Sequence, residues 1–281
     1  MLDHLVARAP KAPTLQPLST KSLEVWSKAQ PAAVQNWIKA AGFKAKPGSF
    51  LLLPDAASYL AGVEDGVDRW SLAHLPATLP AGTYQLIEDD LSPAQASAHA
   101  FAWAMGCYRF ARYRSDAKTF ASLVWPKAAD RAAVERTVRA IGLGRDLINT
   151  PAEHMGPADL AKAVEKVGAA HKAKVKVIVG EQLLKQNYPT IHAVGRAAAA
   201  DRQPRLIDLT WKGPGGDKGP YLVLVGKGVC FDTGGLDLKP RGGMMMMKKD
   251  MGGAASVLAL SQMIMDAKLP VRLVRPLPVA P

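Results

Sequence analysis

From residue 157 onward helical and strand-like segments alternate, and that alternation constrains the fold more than any other feature of the chain. Leu160, Val164 and Val167 recur at helical spacing behind Pro157. An apolar run at residues 175–179 follows, then a short helical stretch from Glu181, apolar runs at 206–211 and 221–225, a helical pattern from Gly253 to Ala267 and a last run from Val271. Helices interleaved with strands cover the faces of a shared sheet, so the pattern predicts an α/β layer fold with a largely parallel sheet. In such sheets ligands sit at the carboxyl ends of strands. Lys227 and Asp232 fall there, just past the run at 221–225, which reads as a buried strand. No repeat of about 20–50 residues interrupts the pattern.

Residues 1–128 read as a separate, smaller α/β domain. Val34, Trp37, Ile38 and Ala41 lie at helical spacing ahead of Gly42, and residues 50–53 form a short apolar run, expected to be a buried strand, ended by Pro54. Pro76, Pro80 and Gly82 mark a loop before a strand at 84–87. Ser92 is placed to cap a helix with Pro93 at its first position and apolar residues from Ala96 past Met105. Residues 129–150 then carry Val134, Val138, Ile141 and Ile148 on one helical face, ended by Asn149, Thr150 and Pro151, as a connector helix would. Residues 151–281 make the third part.

The chain has 281 residues, room for one large or two ordinary domains. Its net charge of +12 permits an anionic partner, but the basic residues are spread along the sequence and not blocked into one arm. That spread reads as a solvated surface, which leaves nucleic acid the weaker partner hypothesis. The two cysteines, Cys107 and Cys230, sit far apart in apolar surroundings, so a reducing compartment, the cytoplasm, is expected. Residues 1–10 lack an apolar signal-peptide core, and no run nears the roughly 18 apolar residues of a membrane span.

Chemistry concentrates between Val225 and Ala255. Gly226-Lys227-Gly228 puts a lysine between residues that allow close approach, without the spacing of a phosphate loop. Asp232-Thr233-Gly234 matches the start of an aspartic protease motif, a mechanism that needs two carboxylates sharing one proton. Asp-Thr-Gly occurs once, which leaves that reading a minor alternative. The six histidines (His4, His74, His99, His154, His171 and His192) form no His-Glu-x-x-His pair, and there is no Gly-x-Ser-x-Gly elbow. Any metal here would rely on aspartate oxygens, which suits hard or borderline divalent ions.

Residues 224–255 resemble the metal-binding core of the leucyl aminopeptidase (cytosol aminopeptidase) family, and residues 144–152, Gly-Arg-Asp-Leu-Ile-Asn-Thr-Pro-Ala, resemble the end of its connector helix. The likeness spans about residues 130–275. It implies a small N-terminal α/β domain, a connector helix and the first part of a mostly parallel-sheet catalytic domain. It also implies a cytoplasmic, typically hexameric exopeptidase that removes apolar N-terminal residues from peptides with two divalent ions, Mn²⁺ or Zn²⁺. By this resemblance Lys227 ligates one ion through a neutral amine, Asp232 bridges both and Asp250 completes the first site. Keeping a lysine neutral at pH 7 costs about 4–5 kcal/mol, which a metal bond can supply. Lys239 would be the free catalytic lysine that stabilises negative charge on the intermediate. Met247, last of the run at 244–247, would line the pocket for the substrate's N-terminal side chain, and Asp237 is expected to face solvent.

The family's Asn-Thr-Asp-Ala-Glu-Gly-Arg segment, which carries two further carboxylate ligands, does not occur in these 281 residues. Residues 269–281 carry Pro270, Pro276, Pro278 and Pro281 where the family has an inner strand. Proline cannot donate to a ladder, so the tail is expected at an edge, as the mark of a truncation within the catalytic domain or of a shifted reading frame. Two divalent ions bring four positive charges against the two of Asp232 and Asp250. At most one tight ion and little turnover are therefore expected of this chain alone. The alternative is a nucleic-acid-binding or scaffolding protein on an aminopeptidase fold.

Overall fold

The computed structural model describes residues 1–115 and 118–281, which divide into two units, Met1–Val138 and Arg139–Pro281. In the first, six strands, β1 (Leu5–Val6), β2 (Thr14–Leu18), β3 (Phe50–Leu52), β4 (Ser58–Gly62), β5 (Thr83–Leu86) and β6 (Ser122–Val124), form one sheet in the order β1-β6-β5-β2-β4-β3. Every pairing is parallel except that of β3 with β4. The strand at 50–53 is thus not buried. It lies at the sheet edge, with Phe50 and Leu52 exposed and Leu51 turned to the core. The helices are α1 (Thr20–Lys28), α2 (Ala32–Ala40), α3 (Leu75–Thr78) and α4 (Pro93–Gly106). Ser92 caps α4 as expected, and Gln95 returns a bond to its backbone to complete a capping box.

Helix α4 is buried nearly all round, and His99 is carried inside with it. Burial pushes the His99 imidazole down to about 4, against a smaller opposing pull from Asp68. The folded value lies below the unfolded one, so the unfolded chain takes up the proton first as pH falls. The resulting stability is full above about pH 6.5 and is lost toward pH 4, by roughly 3 kcal/mol in total. Urea unfolding at pH 7 and pH 4 should show His99→Leu losing less stability than the parent chain by about that amount. Equal losses would mean that the imidazole is already charged in the fold.

Helix α5 (Arg131–Asn149) contains the division between the units and gives Leu143, Leu147 and Ile148 to the second core. There follow α6 (Pro157–Ala170), β7 (Lys174–Val179), α7 (Gln182–Lys185), α8 (Pro189–Gly195), β8 (Arg205–Lys212), β9 (Tyr221–Val223), β10 (Gly228–Val229), α9 (Arg241–Met244), α10 (Gly252–Asp266) and β11 (Arg272–Ala280). Their sheet runs β10-β11-β8-β7, with β9 also on β11. Strands β9 and β10 are parallel to β11, whereas β7-β8 and β8-β11 are antiparallel. Over both units six of nine pairings are parallel, which fits the α/β layer class. Strand β9 is buried on one face only: Leu222 and Leu224 pack on the core while Tyr221, Val223 and Val225 are exposed.

The tail is not an edge. Strand β11 is central, between β8 on one side and β9 and β10 on the other. Alternate residues of a strand turn their backbone polar groups to opposite sides. The carbonyls of Val274 and Ala280 accept from Leu224 and Cys230, so even-numbered residues face β9 and β10. Pro276 and Pro278 therefore lack donors only on that side, where β9 has ended and β10 has not begun. The ladder to β8 relies on the odd residues, and it keeps register from Arg272↔Lys212 to Val279↔Arg205.

Candidate active site

The break between β9 and β10 releases Lys227 from the sheet. Its carbonyl instead accepts the Ala254 N–H of α10, at 2.9 Å. This contact needs two glycines: a Cβ on Gly226 would lie 2.6 Å from the Gly253 carbonyl oxygen and 2.9 Å from the Ala254 Cα. With strand end and helix start so close, Lys227 Nζ donates to Asp250 Oδ2 at 3.2 Å, and Lys249 Nζ lies 3.6 Å from Asp250 Oδ1. Burial would raise the Asp250 carboxyl. The Lys227 hydrogen bond and the two ammonium charges outweigh it and hold the group below the usual carboxylate range.

Asp232 stands on a tight turn. Its Oδ1 accepts the Gly234 N–H at 2.8 Å, with Gly234 and Gly235 in the left-handed region at φ 99° and 74°. The turn brings Lys239 back, so that its N–H donates to the Thr233 carbonyl at 2.9 Å and its Nζ to Asp232 Oδ2 at 2.7 Å. The Lys239 bond first, then that of Gly234, keeps the Asp232 carboxyl low. The Asp232 N–H points at Met247 Sδ, 3.1 Å away.

Four of the five residues singled out in the sequence thus form two ion pairs, Lys227–Asp250 and Lys239–Asp232. Met247 lies beneath Asp232 and opens the 3₁₀ turn Met247–Lys249 that leads to Asp250. Lys239 Nζ is paired with Asp232 Oδ2. Met247 is 4% exposed, and Asp237 is exposed as expected. Two lysines were not singled out. Lys249 flanks Asp250, and Lys248 Nζ reaches the Asn149 carbonyl at 3.1 Å, closing the end of α5. Adjacency to Asp250 could have flagged Lys249, whereas nothing local signals a contact between Lys248 and Asn149.

Among the described residues no group of three or more His, Cys, Asp or Glu side chains is placed to hold a metal ion. Between residues 226 and 255 stand five cations and three carboxylates. Of these, Asp232 and Asp250 could give oxygens, and Lys227 an amine once deprotonated, to a divalent ion.

The cytosol aminopeptidase family, catalytic domain, matches residues 142–281, and the M17 aminopeptidase N-terminal domain matches residues 13–126. The chain belongs to the M17 cytosol aminopeptidase family. It is 36% identical over 199 residues to a probable cytosol aminopeptidase of Mycobacterium sp. (strain KMS), covering 63% of this chain and 38% of that protein. The solved cytosol aminopeptidase from Coxiella burnetii superposes with a TM-score of 0.89 at 42% identity, over 99% of this chain and 61% of that one. The bottromycin maturation enzyme BotP, in complex with Mn, gives 0.76 at 30% identity, over 96% of this chain and 59% of its own. This M17 chain therefore spans less than two thirds of the length of these relatives.

Proposed function

We propose that the chain is part of a metal-dependent aminopeptidase that releases apolar N-terminal residues from peptides, with its catalytic chemistry at the Lys227–Asp250 and Lys239–Asp232 pairs. What supports this reading is that the residues to which the family resemblance assigns metal binding, Lys227, Asp232 and Asp250, and the lysine to which it assigns catalysis, Lys239, are joined in two ion pairs beside the start of α10. Asp232, Asp250 and Lys227 would hold a divalent ion, Mn²⁺ or Zn²⁺. Such an ion polarises the scissile carbonyl and makes a water molecule acidic. Lys239, now bonded to Asp232 Oδ2, would turn its ammonium toward developing negative charge on the substrate once that oxygen served as a metal ligand. Met247 would set an apolar boundary beside Asp232, though one methylene discriminates by only about 1–3 kcal/mol.

The aspartic protease reading is disfavoured because Asp232 pairs with an ammonium and not with a second carboxyl. Relatives named cytosol aminopeptidases support a cytoplasmic location, and no helix among the described residues is long and apolar enough to cross a membrane. A homo-oligomer, by family resemblance a hexamer, is part of the same proposal.

Two measurements test it. Titrated after chelation, the 281-residue chain should take up at most one Mn²⁺ or Zn²⁺ and release almost no p-nitroaniline from leucine p-nitroanilide. Two tight ions with robust release would refute this. The chain joined to the remaining C-terminal part of the Coxiella burnetii enzyme should be active, lose activity to a chelator and regain it with Mn²⁺ or Zn²⁺. Activity that survives exhaustive chelation would sink the proposed class.

A further inference from the structure

Lys248 reaches out of the candidate site to a distant part of the second unit. Helix α5 ends at Asn149, ahead of Pro151, and a helix end leaves its last carbonyls without partners in the helix. The Asp146 carbonyl is served by Thr150, whose N–H and hydroxyl donate to it at 3.0 and 2.7 Å. The Asn149 carbonyl is served from 99 positions away, by the partly buried Lys248, whose Nζ donates to it at 3.1 Å. A charged donor makes this the stronger kind of hydrogen bond, and a cation suits the negative end of a helix.

The turn that carries Asp250 needs such an anchor. Gly242-Gly243 precede it and Gly252-Gly253 follow it, and glycines leave the backbone on both sides loose. Three residues complete a 3₁₀ turn, so Met247 and Asp250 come onto one side while Lys248 and Lys249 point elsewhere. Met247 meets the Asp232 N–H through a thioether, a weak acceptor, and the Lys249 side chain is 60% exposed. We infer that Lys248 is a positioning residue: by tying the turn to the end of α5 it holds Asp250 toward Lys227 and Met247 beneath Asp232, without itself touching metal or substrate. The inference rests on the metal-site reading of Lys227, Asp232 and Asp250. A ligand that loses its support keeps its chemistry and loses its aim, which weakens metal affinity by about 10–100-fold.

Calorimetric titration of the full chain with Mn²⁺ after chelation tests this. Lys248→Met should bind the ion about 10–100-fold more weakly than the parent, and Lys248→Arg, which keeps a donor for the Asn149 carbonyl, should recover most of the loss. Val164→Ala, a truncation elsewhere in the same core, should lower the urea midpoint and leave Mn²⁺ affinity unchanged. Without metal, the Asp250 amide, bonded to the Met247 carbonyl at 2.9 Å, should exchange at least about 10-fold faster in Lys248→Met. Unchanged exchange would show that Lys248 does not anchor the turn, and faster exchange with unchanged affinity that the anchor does not position the ligands; either overturns the inference. Equal weakening by Val164→Ala would reduce the effect to lost stability and overturn it as well. A parent chain that takes up no Mn²⁺ overturns the metal-site reading and with it the positioning role, while the exchange rates still report whether the anchor exists.

Discussion

Lys239→Ala, made in the chain extended to family length, is expected to lower kcat by about 10²–10³ while metal content stays constant. The magnitude is that of removing one preorganised charged donor from a developing oxyanion. Preorganisation is visible in the turn. Two left-handed glycines and the Lys239–Thr233 backbone bond place the lysine beside Asp232, from which its ammonium would be released once that carboxylate served as a metal ligand. Removing the ammonium also lets the Asp232 carboxyl rise toward its ordinary range, near 4, which still leaves it ionised at pH 7. Metal affinity should therefore survive in Lys239→Ala and fall in Lys227→Ala. Equal metal loss in the two variants would make Lys239 a ligand or a structural residue and would cancel the assigned division of roles.

Arg275→Leu should stabilise the second unit by about 1–4 kcal/mol. Arg275 is completely buried in the central strand, and its Nε, Nη1 and Nη2 have no partner. The complementary group is nearby but on the wrong side. Directly opposed residues share a sheet face, so Arg275, opposite Leu209, lies on the face of Leu273 and Leu277, while Asp208, opposite Pro276, lies on the other. Asp208 Oδ1 is itself buried without a donor. Burial pushes the guanidinium down to about 10, partly offset by Asp208, and it remains charged at neutral pH. Leucine removes the buried charge and extends the packing of Leu273 and Leu277. Urea unfolding followed through Trp211, the one tryptophan of the second unit, measures the change. A loss of more than about 1 kcal/mol would show that the guanidinium is satisfied in solution.

Local signals in the sequence were reliable where they act locally. Ser92-Pro93 announced α4, and the spacing of Leu160, Val164 and Val167 announced α6, because capping and periodicity are settled within one or two turns. Strand β2 escaped because Thr-Leu-Gln-Pro-Leu is short and carries a proline. An apolar run does not say which neighbours a strand will have, so the runs at 50–53 and 221–225 read as more buried than they are. Strand β11 failed differently. The proline rule concerns a missing donor, and only the sheet order tells which side of the strand misses it. At the candidate site the residues were legible but the pairings were not, since Lys227 and Asp250 are 23 positions apart and meet through the Gly226–Gly253 contact.

The two prolines of β11 also bear on how the second unit opens. Lacking amide hydrogens, they leave residues 224–227 fastened at their ends, by Leu224 to Val274 and by Lys227 to Ala254, with nothing from Pro276 or Pro278 in between. Strands β7, β8 and β11 share continuous antiparallel ladders and should exchange their amide hydrogens as one slow cooperative block. The segment bearing Lys227 shares no continuous ladder with that block, so its amides are expected to exchange faster. The strand that closes the core should thereby give the candidate site a separate and lower threshold for motion.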